Sequence, residues 1–178
     1  MREKRVIVLD YLPNGYPGMR KIEPIAQTIG KNHFTMLELV VNKDVKPGDE
    51  IELKEEDTEV AIRRKIQEKD LTNFAKSHLE EQIANIVRLR EAEFVSFFNR
   101  ATRLSIRTHQ LELLPGIGKK HIQIILNERK NPFTSFEDIK QRVNMTVEIE
   151  KIIAKRIVEE LRGSEKNNLF IVQKPKQF

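Results

Sequence analysis

The chain has 178 residues, 33% of them charged, and no cysteine, which excludes disulfides, thiol catalysis and cysteine metal sites. No segment reaches the roughly 18 consecutive apolar residues that a membrane span needs, and the N-terminus lacks a signal-peptide pattern, so we expect a cytoplasmic protein that does not associate with membranes. The net charge of +5 comes entirely from residues 104–178, because residues 1–103 hold 18 basic and 18 acidic side chains. This asymmetry is typical of a polyanion-binding protein, although a lysine-rich solvated surface would produce the same charge.

Residues 1–68 predict a small β-domain. Short apolar runs separated by glycine, proline and asparagine are typical of strands joined by turns. Five such strands at close spacing favour a small closed barrel of the OB-like kind. The predicted strands are Arg5–Leu12, Ile25–Gly30, 33–41, 50–53 and 59–66.

One face of this barrel is a candidate surface for single-stranded nucleic acid. OB-like barrels bind single strands with exposed aromatic rings above a basic groove. The alternative is structural: Phe34 would be a core residue, and the basic run would be a solvated edge. The candidate contacts are Tyr11, Tyr16, Arg63, Arg64 and Lys65.

Residues 69–101 predict connecting helices. Thr72 suits a helix N-cap, and apolar side chains at helical spacing follow it as far as Ala101. The phenylalanine cluster at residues 94–98 is interpreted as a packing face. Arg100, Arg103 and Arg107 then lead towards the next region, where they could flank a nucleic-acid backbone, because a planar guanidinium can make two hydrogen bonds to one phosphate.

The most informative segment is residues 113–120, Leu-Leu-Pro-Gly-Ile-Gly-Lys-Lys. It predicts a helix, a tight turn with two glycines, where the backbone takes positive φ or approaches a ligand closely, and a second helix. Outward N–H groups and the dipole of the second helix would form a phosphate-sized anion site. The alternatives are a turn that only joins two packed helices, or a protein–protein contact. The predicted phosphate-binding residues are Gly116, Ile117, Gly118, Lys119, Lys120, Arg107, Arg129 and Lys130, with the side chain of Ile117 facing the core.

A second, weaker copy of this pattern completes a helical region at residues 102–162. Residues 135–143 and 147–162 predict helices joined by a turn at Asn144, and Ser135 with Asp138 resembles a capping box. Because the second turn has no glycine, we expect it to be structural. Residues 163–178 predict a tail with a possible last strand at 169–173.

The segment at residues 113–120, here called the hairpin, resembles the hairpin of the helix-hairpin-helix family. Residues 132–139 resemble the connection that follows the first hairpin in tandem members of that family. Over nearly its full length, the chain also resembles an uncharacterised archaeal family of unknown function, through DLT at 70–72, FFNRA at 97–101, RTHQLELLPGIGKKH at 107–121 and PFTSFEDIKQRV at 132–143. That resemblance implies an OB-like barrel joined to a helix-hairpin-helix region, and genes often found among translation genes. It therefore favours RNA, in a ribosomal or ribosome-assembly setting.

Enzyme interpretations have little support in the sequence. Helix-hairpin-helix glycosylases carry a catalytic aspartate about twenty residues after the hairpin, and Asp138 follows Gly118 by 20 residues. A capping role explains Asp138, and the chain lacks room for a base-flipping pocket. The four histidines show no metal-ligand spacing. We therefore expect no catalysis, cofactor, metal or small-molecule substrate.

The sequence thus predicts an α+β protein, with an OB-like β-barrel followed by an all-α tandem helix-hairpin-helix domain, that binds nucleic acid without catalysis. RNA is preferred over DNA as the partner. One alternative is a DNA-binding protein of repair or replication. Another is a protein-interaction adaptor that uses the helical domain as its docking face.

Overall fold

A computed structural model describes residues 2–172. The protein is α+β, with a curled five-stranded antiparallel half-barrel and five helices. The strands are β1 (Arg5–Leu12), β2 (Ile25–Gly30), β3 (Met36–Val41), β4 (Glu50–Glu52) and β5 (Val60–Lys65). The helices are α1 (Asn73–Leu89), α2 (Glu91–Arg100), α3 (Lys119–Glu128), α4 (Phe136–Val143) and α5 (Ile149–Leu161), with short 3-10 turns at Glu68–Asp70 and Gln110–Leu113.

The strand order in the sheet is β4-β1-β2-β3-β5. Strands β1 to β3 form a meander and β4 returns beside β1, which is the Greek-key arrangement. The expectation of a closed barrel was wrong, because β4 and β5 are the two edges of the sheet and β4 has only three residues. The predicted third strand also began too early, since Phe34 adopts a left-handed φ of 55° that interrupts extended backbone before Met36.

Both faces of the sheet are covered, which explains the unbroken apolar run of β1. Alternate side chains of a strand point to opposite faces. Val6 and Val8 fill the inside of the curl, whereas Ile7 and Leu9 belong to the core shared with the helices. That shared core also contains Ile153 of α5, so buried side chains connect the sheet to the last helix without interruption.

The helices form where capping and periodicity predict them. The Thr72 hydroxyl accepts a hydrogen bond from the N–H of Ala75 at 3.1 Å, as expected for the N-cap of α1. Helix α1 lies between the sheet and α5. No helix in residues 2–172 has the length and apolar character needed to cross a bilayer.

Two expected elements differ in the structure. The helix predicted before the hairpin is only the four-residue 3-10 turn Gln110–Leu113. The predicted last strand is not formed at residues 169–172, and Gln173 lies outside the described residues. Instead, the buried carboxylate of Glu160 accepts hydrogen bonds from the N–H groups of residues 169–171, at 2.6 to 3.0 Å. These N–H groups are therefore satisfied without a neighbouring strand.

Candidate functional site

The hairpin before α3, at residues 113–120, contains a tight turn over residues 114–117. The Ile117 N–H donates to the Leu114 carbonyl at 3.2 Å, and Gly116 has a φ of +80°. Proline at the second position and a glycine of positive φ at the third are typical of a type II turn. The positive φ explains why Gly116 must be glycine here.

Gly118 has a different role from the one predicted. Its φ of −99° and ψ of 179° are extended backbone that any residue adopts, so of the two expected reasons for glycine, positive φ is wrong for Gly118, and close approach of a ligand stays a prediction. It is the N-cap of α3 and has no side chain to bind the first N–H groups of that helix. A Cβ at Gly118 would meet nothing within 4 Å, so a methyl group there would enter open space.

The hairpin residues differ in what they can offer a ligand. Ile117 is buried, as predicted, but its N–H already donates to Leu114, so it is not free to bind phosphate. Lys119 and Lys120 are exposed on the first turn of α3, and neither forms a salt bridge among the described residues. The first turn of α3 also lacks an acidic residue. The result is an uncapped, positively charged helix N-terminus at the surface.

Arg129 and Lys130 do not join the hairpin. They lie at the other end of α3, about 15 Å away at 1.5 Å per residue. One guanidinium nitrogen of Arg129 donates to the carbonyls of Phe98 and Ala101, at 3.2 and 2.7 Å, so this side chain stabilises the C-terminus of α2. Lys130 is exposed and contacts Asn127.

The remaining predicted arginines of this region are exposed. Arg103 and Arg107 lie in the loop between α2 and the Gln110–Leu113 turn. Arg100 lies at the rim of an open cavity of about 320 Å³ lined by the aromatic rings of Phe94, Phe97 and Phe170 among others. The base of the loop is close to the C-terminal end of α3, because Ala101 contacts Arg129.

Residues 100–130 contain the charge surplus of the chain. They hold seven basic and two acidic side chains, a surplus equal to the net charge of +5. None of the seven forms a salt bridge within residues 2–172, whereas basic residues elsewhere, such as Arg142, Arg156 and Arg162, are paired with carboxylates. Positive charge is therefore left uncompensated on this part of the surface.

The second hairpin provides an internal comparison. Asn144 adopts the left-handed conformation that ends α4, with a φ of 57°. The N-cap of α5 is Glu148, and its carboxylate forms an ion pair with Lys140 that lowers the pKa of Glu148. A carboxylate thus lies beside the N-terminus of α5, where an incoming phosphate would be repelled.

The predicted contacts on the barrel are mostly structural. Arg63 and Arg64 both bind the carboxylate of Glu38, whose side chain is 0% exposed. Tyr16 donates to the same carboxylate at 2.7 Å. Burial and this hydrogen bond raise the pKa of Tyr16 to about 12. The two arginines therefore neutralise a buried charge that Tyr16 also hydrogen-bonds, and the three side chains do not form a free binding groove.

The other two barrel candidates show no common site. The Tyr11 hydroxyl donates to the Val41 carbonyl at 3.4 Å, and its ring packs against the inner cluster of the sheet. Lys65 is exposed at the end of β5. Phe34 is core, at 1% exposure, as its structural alternative predicted.

Asp138 and His109 have local structural roles. The Ser135 hydroxyl accepts from the Asp138 N–H, while the Asp138 carboxylate accepts from the Thr134 N–H and pairs with Arg142. His109 Nδ1 accepts from the N–H of the residue two positions later, and burial, with Arg129 and Arg103 nearby, lowers the pKa of His109. Within residues 2–172, no cluster of three histidine or carboxylate side chains is arranged to hold a metal ion.

Two features of interest were not found from the sequence. Leu104 and Ile106 are exposed apolar side chains between the arginines of the loop before the hairpin. The alternation Arg-Leu-Ser-Ile-Arg was the available signal. The second feature is the buried charge cluster around Glu38. Its signal in the sequence was a single carboxylate within an apolar strand.

The architecture identifies this chain as an α+β protein in which a curled antiparallel half-barrel shares one core with five helices. A family model described as "Protein of unknown function (DUF655)" matches residues 2–172. The uncharacterized protein MJ0038 of Methanocaldococcus jannaschii is 37% identical over 175 residues, which cover 96% of this chain and 79% of that protein. The chain therefore belongs to the DUF655 family, and this confirms the expected relationship to an archaeal family of unknown function.

A solved structure is similar along the same length. The crystal structure of Af1531 from Archaeoglobus fulgidus, family-model DUF655, matches with a TM-score of 0.87 and 40% identity. The match covers 96% of this chain and 100% of that one. The half-barrel and the helices are thus a shared architecture of the two proteins.

Proposed function

We propose that this protein binds the phosphate backbone of nucleic acid through the hairpin at residues 116–120, without catalysing a reaction. The observation that carries the proposal is the uncapped N-terminus of α3, where Lys119 and Lys120 are exposed and have no carboxylate partner within residues 2–172. In this proposal the segment acts as a helix-hairpin-helix, the half-barrel is OB-like, and the protein works in the cytoplasm.

The physical basis is the combination of dipole, donors and charge. The first N–H groups of a helix have no intrahelical partner, and the dipole places partial positive charge there. A phosphate in front of Gly118 would meet these donors at close range, because no Cβ stands in the way. The side chains of Lys119 and Lys120 would neutralise the same phosphate and its neighbours.

The basic loop beside the C-terminal end of α3 extends the proposed interface. The length of α3 from the hairpin to this end, about 15 Å, corresponds to about four nucleotide steps of 3.4 Å along one strand. One backbone could therefore contact both ends of α3. Arg103 and Arg107 would supply this second contact, since Arg129 is already bound to carbonyl groups of α2.

RNA is the favoured partner, in a ribosomal or ribosome-assembly setting. Support for RNA comes from the family resemblance and its association with translation genes, since phosphates alone do not distinguish RNA from DNA. Sedimentation of the native protein in a lysate gradient, with and without ribonuclease, tests the setting. Migration with ribosomal subunits that disappears after ribonuclease is expected, and migration as free protein under both conditions would exclude a stable ribosomal role.

The hairpin itself is tested with a double variant and a matched control. Lys119→Ala with Lys120→Ala removes two exposed lysines from the start of α3. Lys151→Ala with Lys155→Ala removes two exposed lysines from α5 instead. Fluorescence anisotropy with single-stranded RNA, at several salt concentrations, gives the affinity and its salt dependence.

The hairpin variant should bind more weakly and lower the log–log salt slope by about 1.4, since each phosphate that is no longer neutralised reduces the slope by about 0.7. The control should bind like the wild type. Equal decreases in the affinity of the two variants would indicate that net charge, and not the hairpin, determines binding. Wild-type affinity that does not change with salt would overturn backbone binding altogether.

A further inference from the structure

The loop at residues 102–109, here called the finger, is held in one conformation by its own hydrogen bonds. At its base, Thr102 and Gln110 are joined by two hydrogen bonds of 2.9 Å. Nearer the tip, the Ser105 hydroxyl accepts from the N–H groups of Arg107 and Thr108, at 3.2 and 3.1 Å. The finger is therefore a small ordered loop that projects from the helical region.

The tip of the finger presents apolar side chains to solvent. Ile106 is 92% exposed, more than any other large apolar side chain in residues 2–172, and Leu104 is 42% exposed. Single apolar residues on a surface are common and need no function. Here, however, the exposed side chain stands at the end of a fixed loop, so its position is defined before any partner arrives.

Two arginines flank this apolar tip. Arg103 and Arg107 are exposed, and neither is paired with a carboxylate in the described part of the chain. A guanidinium nitrogen of Arg103 donates to the Ile106 carbonyl at 3.0 Å, which holds the cation beside the tip. A protruding apolar side chain between two cations that have no carboxylate partner within residues 2–172 complements a nucleic-acid strand, in which base faces lie between phosphates.

We propose that the finger inserts Ile106 between adjacent bases of the nucleic acid, while Arg103 and Arg107 hold the phosphates on either side. Proteins insert isoleucine and similar side chains between base steps in this way, at the expense of base stacking. The protein then prefers a site where stacking is already interrupted, such as a bulge in an RNA duplex. This inference rests on the proposed function, and it identifies the kind of target that the backbone contacts hold.

The test compares Ile106→Ser with Leu89→Ser, since Leu89 at the end of α1 is also exposed, at 73%. The probes are two RNA duplexes of equal length, one fully paired and one with a single bulged base beside 2-aminopurine. Wild-type protein should bind the bulged duplex at least about tenfold more tightly, because the unstacking cost is already met, and should increase the 2-aminopurine fluorescence.

Ile106→Ser should bring the two affinities within about twofold and abolish the fluorescence increase, while paired-duplex binding persists through the phosphate contacts. Leu89→Ser should behave like the wild type. An unchanged preference in Ile106→Ser, or no preference in the wild type, would overturn the finger proposal and leave backbone binding standing. Failure of the wild type to bind either duplex would overturn the finger proposal, and failure to bind the single-stranded RNA as well would overturn backbone binding.

Discussion

The two glycines of the hairpin should respond oppositely to alanine, although they are two residues apart. Gly116 has a φ of +80°, whereas Gly118 has a φ of −99° and open space where a Cβ would be built. Gly116→Ala forces an L-residue into the left-handed region. Gly118→Ala adds a methyl group to backbone that alanine adopts freely.

The magnitudes follow from these conformations. The left-handed conformation costs an L-residue about 1–2 kcal/mol, so Gly116→Ala should lower the free energy of unfolding by about that amount. For Gly118→Ala, alanine is a poorer N-cap than glycine, by a few tenths to about 1 kcal/mol. The smaller entropy of the unfolded chain offsets this by about 0.4–1 kcal/mol. The net change in unfolding free energy at Gly118 should therefore be within about 0.5 kcal/mol of zero.

Urea unfolding of the wild type and both variants measures the difference, provided that the m-value is unchanged. The RNA anisotropy assay should show weaker binding by Gly118→Ala despite its unchanged stability, because the added methyl group obstructs close approach of a phosphate. If Gly118→Ala were destabilised as much as Gly116→Ala, the extended conformation of Gly118 would be refuted. If it kept full affinity, the hairpin would not be the binding surface.

Three further predictions concern the buried polar groups. Glu38→Gln should lower the free energy of unfolding by about 2 kcal/mol at neutral pH, below the usual cost of breaking a buried pair because both arginines are partly exposed. Burial raises the pKa of Glu38, but hydrogen bonds from Tyr16, Arg63 and Arg64 outweigh it and lower that pKa. The stabilisation by Glu38 should therefore be complete above about pH 4.3 and lost at lower pH, and urea titrations at several pH values should show a larger loss of stability in acid for the wild type than for the variant. Glu160→Ala should accelerate amide hydrogen exchange at residues 169–171, because their common acceptor is removed. His109→Asn should remove the decrease in stability that we expect as pH falls below about 6.5, since the unfolded chain binds that proton more readily.

Matched variants make these outcomes decisive. Glu52→Gln, at an exposed carboxylate on β4, should leave the free energy of unfolding at neutral pH unchanged. Glu159→Ala, next to Glu160 in α5, should leave the exchange at residues 169–171 as in the wild type. A pH dependence of stability in His109→Asn equal to that of the wild type would contradict the role assigned to His109.

The regular elements were predictable because local patterns determine them. The bounds of β1 and β2 follow from apolar runs bounded by turn residues, and the N-cap of α1 follows from Thr72. The errors arose where tertiary contacts override the local pattern. The Glu160 carboxylate takes the N–H groups of residues 169–171, and no periodicity in the tail could reveal that.

The candidate site was predictable only in part, for a similar reason. The turn chemistry of Gly116 and the exposure of Lys119 and Lys120 follow from a few adjacent residues. The partners of Arg63 and Arg129 come from distant parts of the chain, so their use in structural contacts was not visible in the sequence. A basic residue predicts positive charge, but only the fold shows whether that charge is free.

The uninterrupted core has a consequence for how the molecule presents its surfaces. Ile29 of β2 and Ile153 of α5 belong to the same buried cluster, with α1 between the sheet and α5. The sheet and the hairpin therefore pack on one continuous core within residues 2–172. Any ligand that contacts both the sheet and the hairpin must match the distance between these two surfaces, which the shared core sets. A gene fragment ending at residue 101 would leave the apolar face of α1 in water, so its product should aggregate instead of folding as an isolated half.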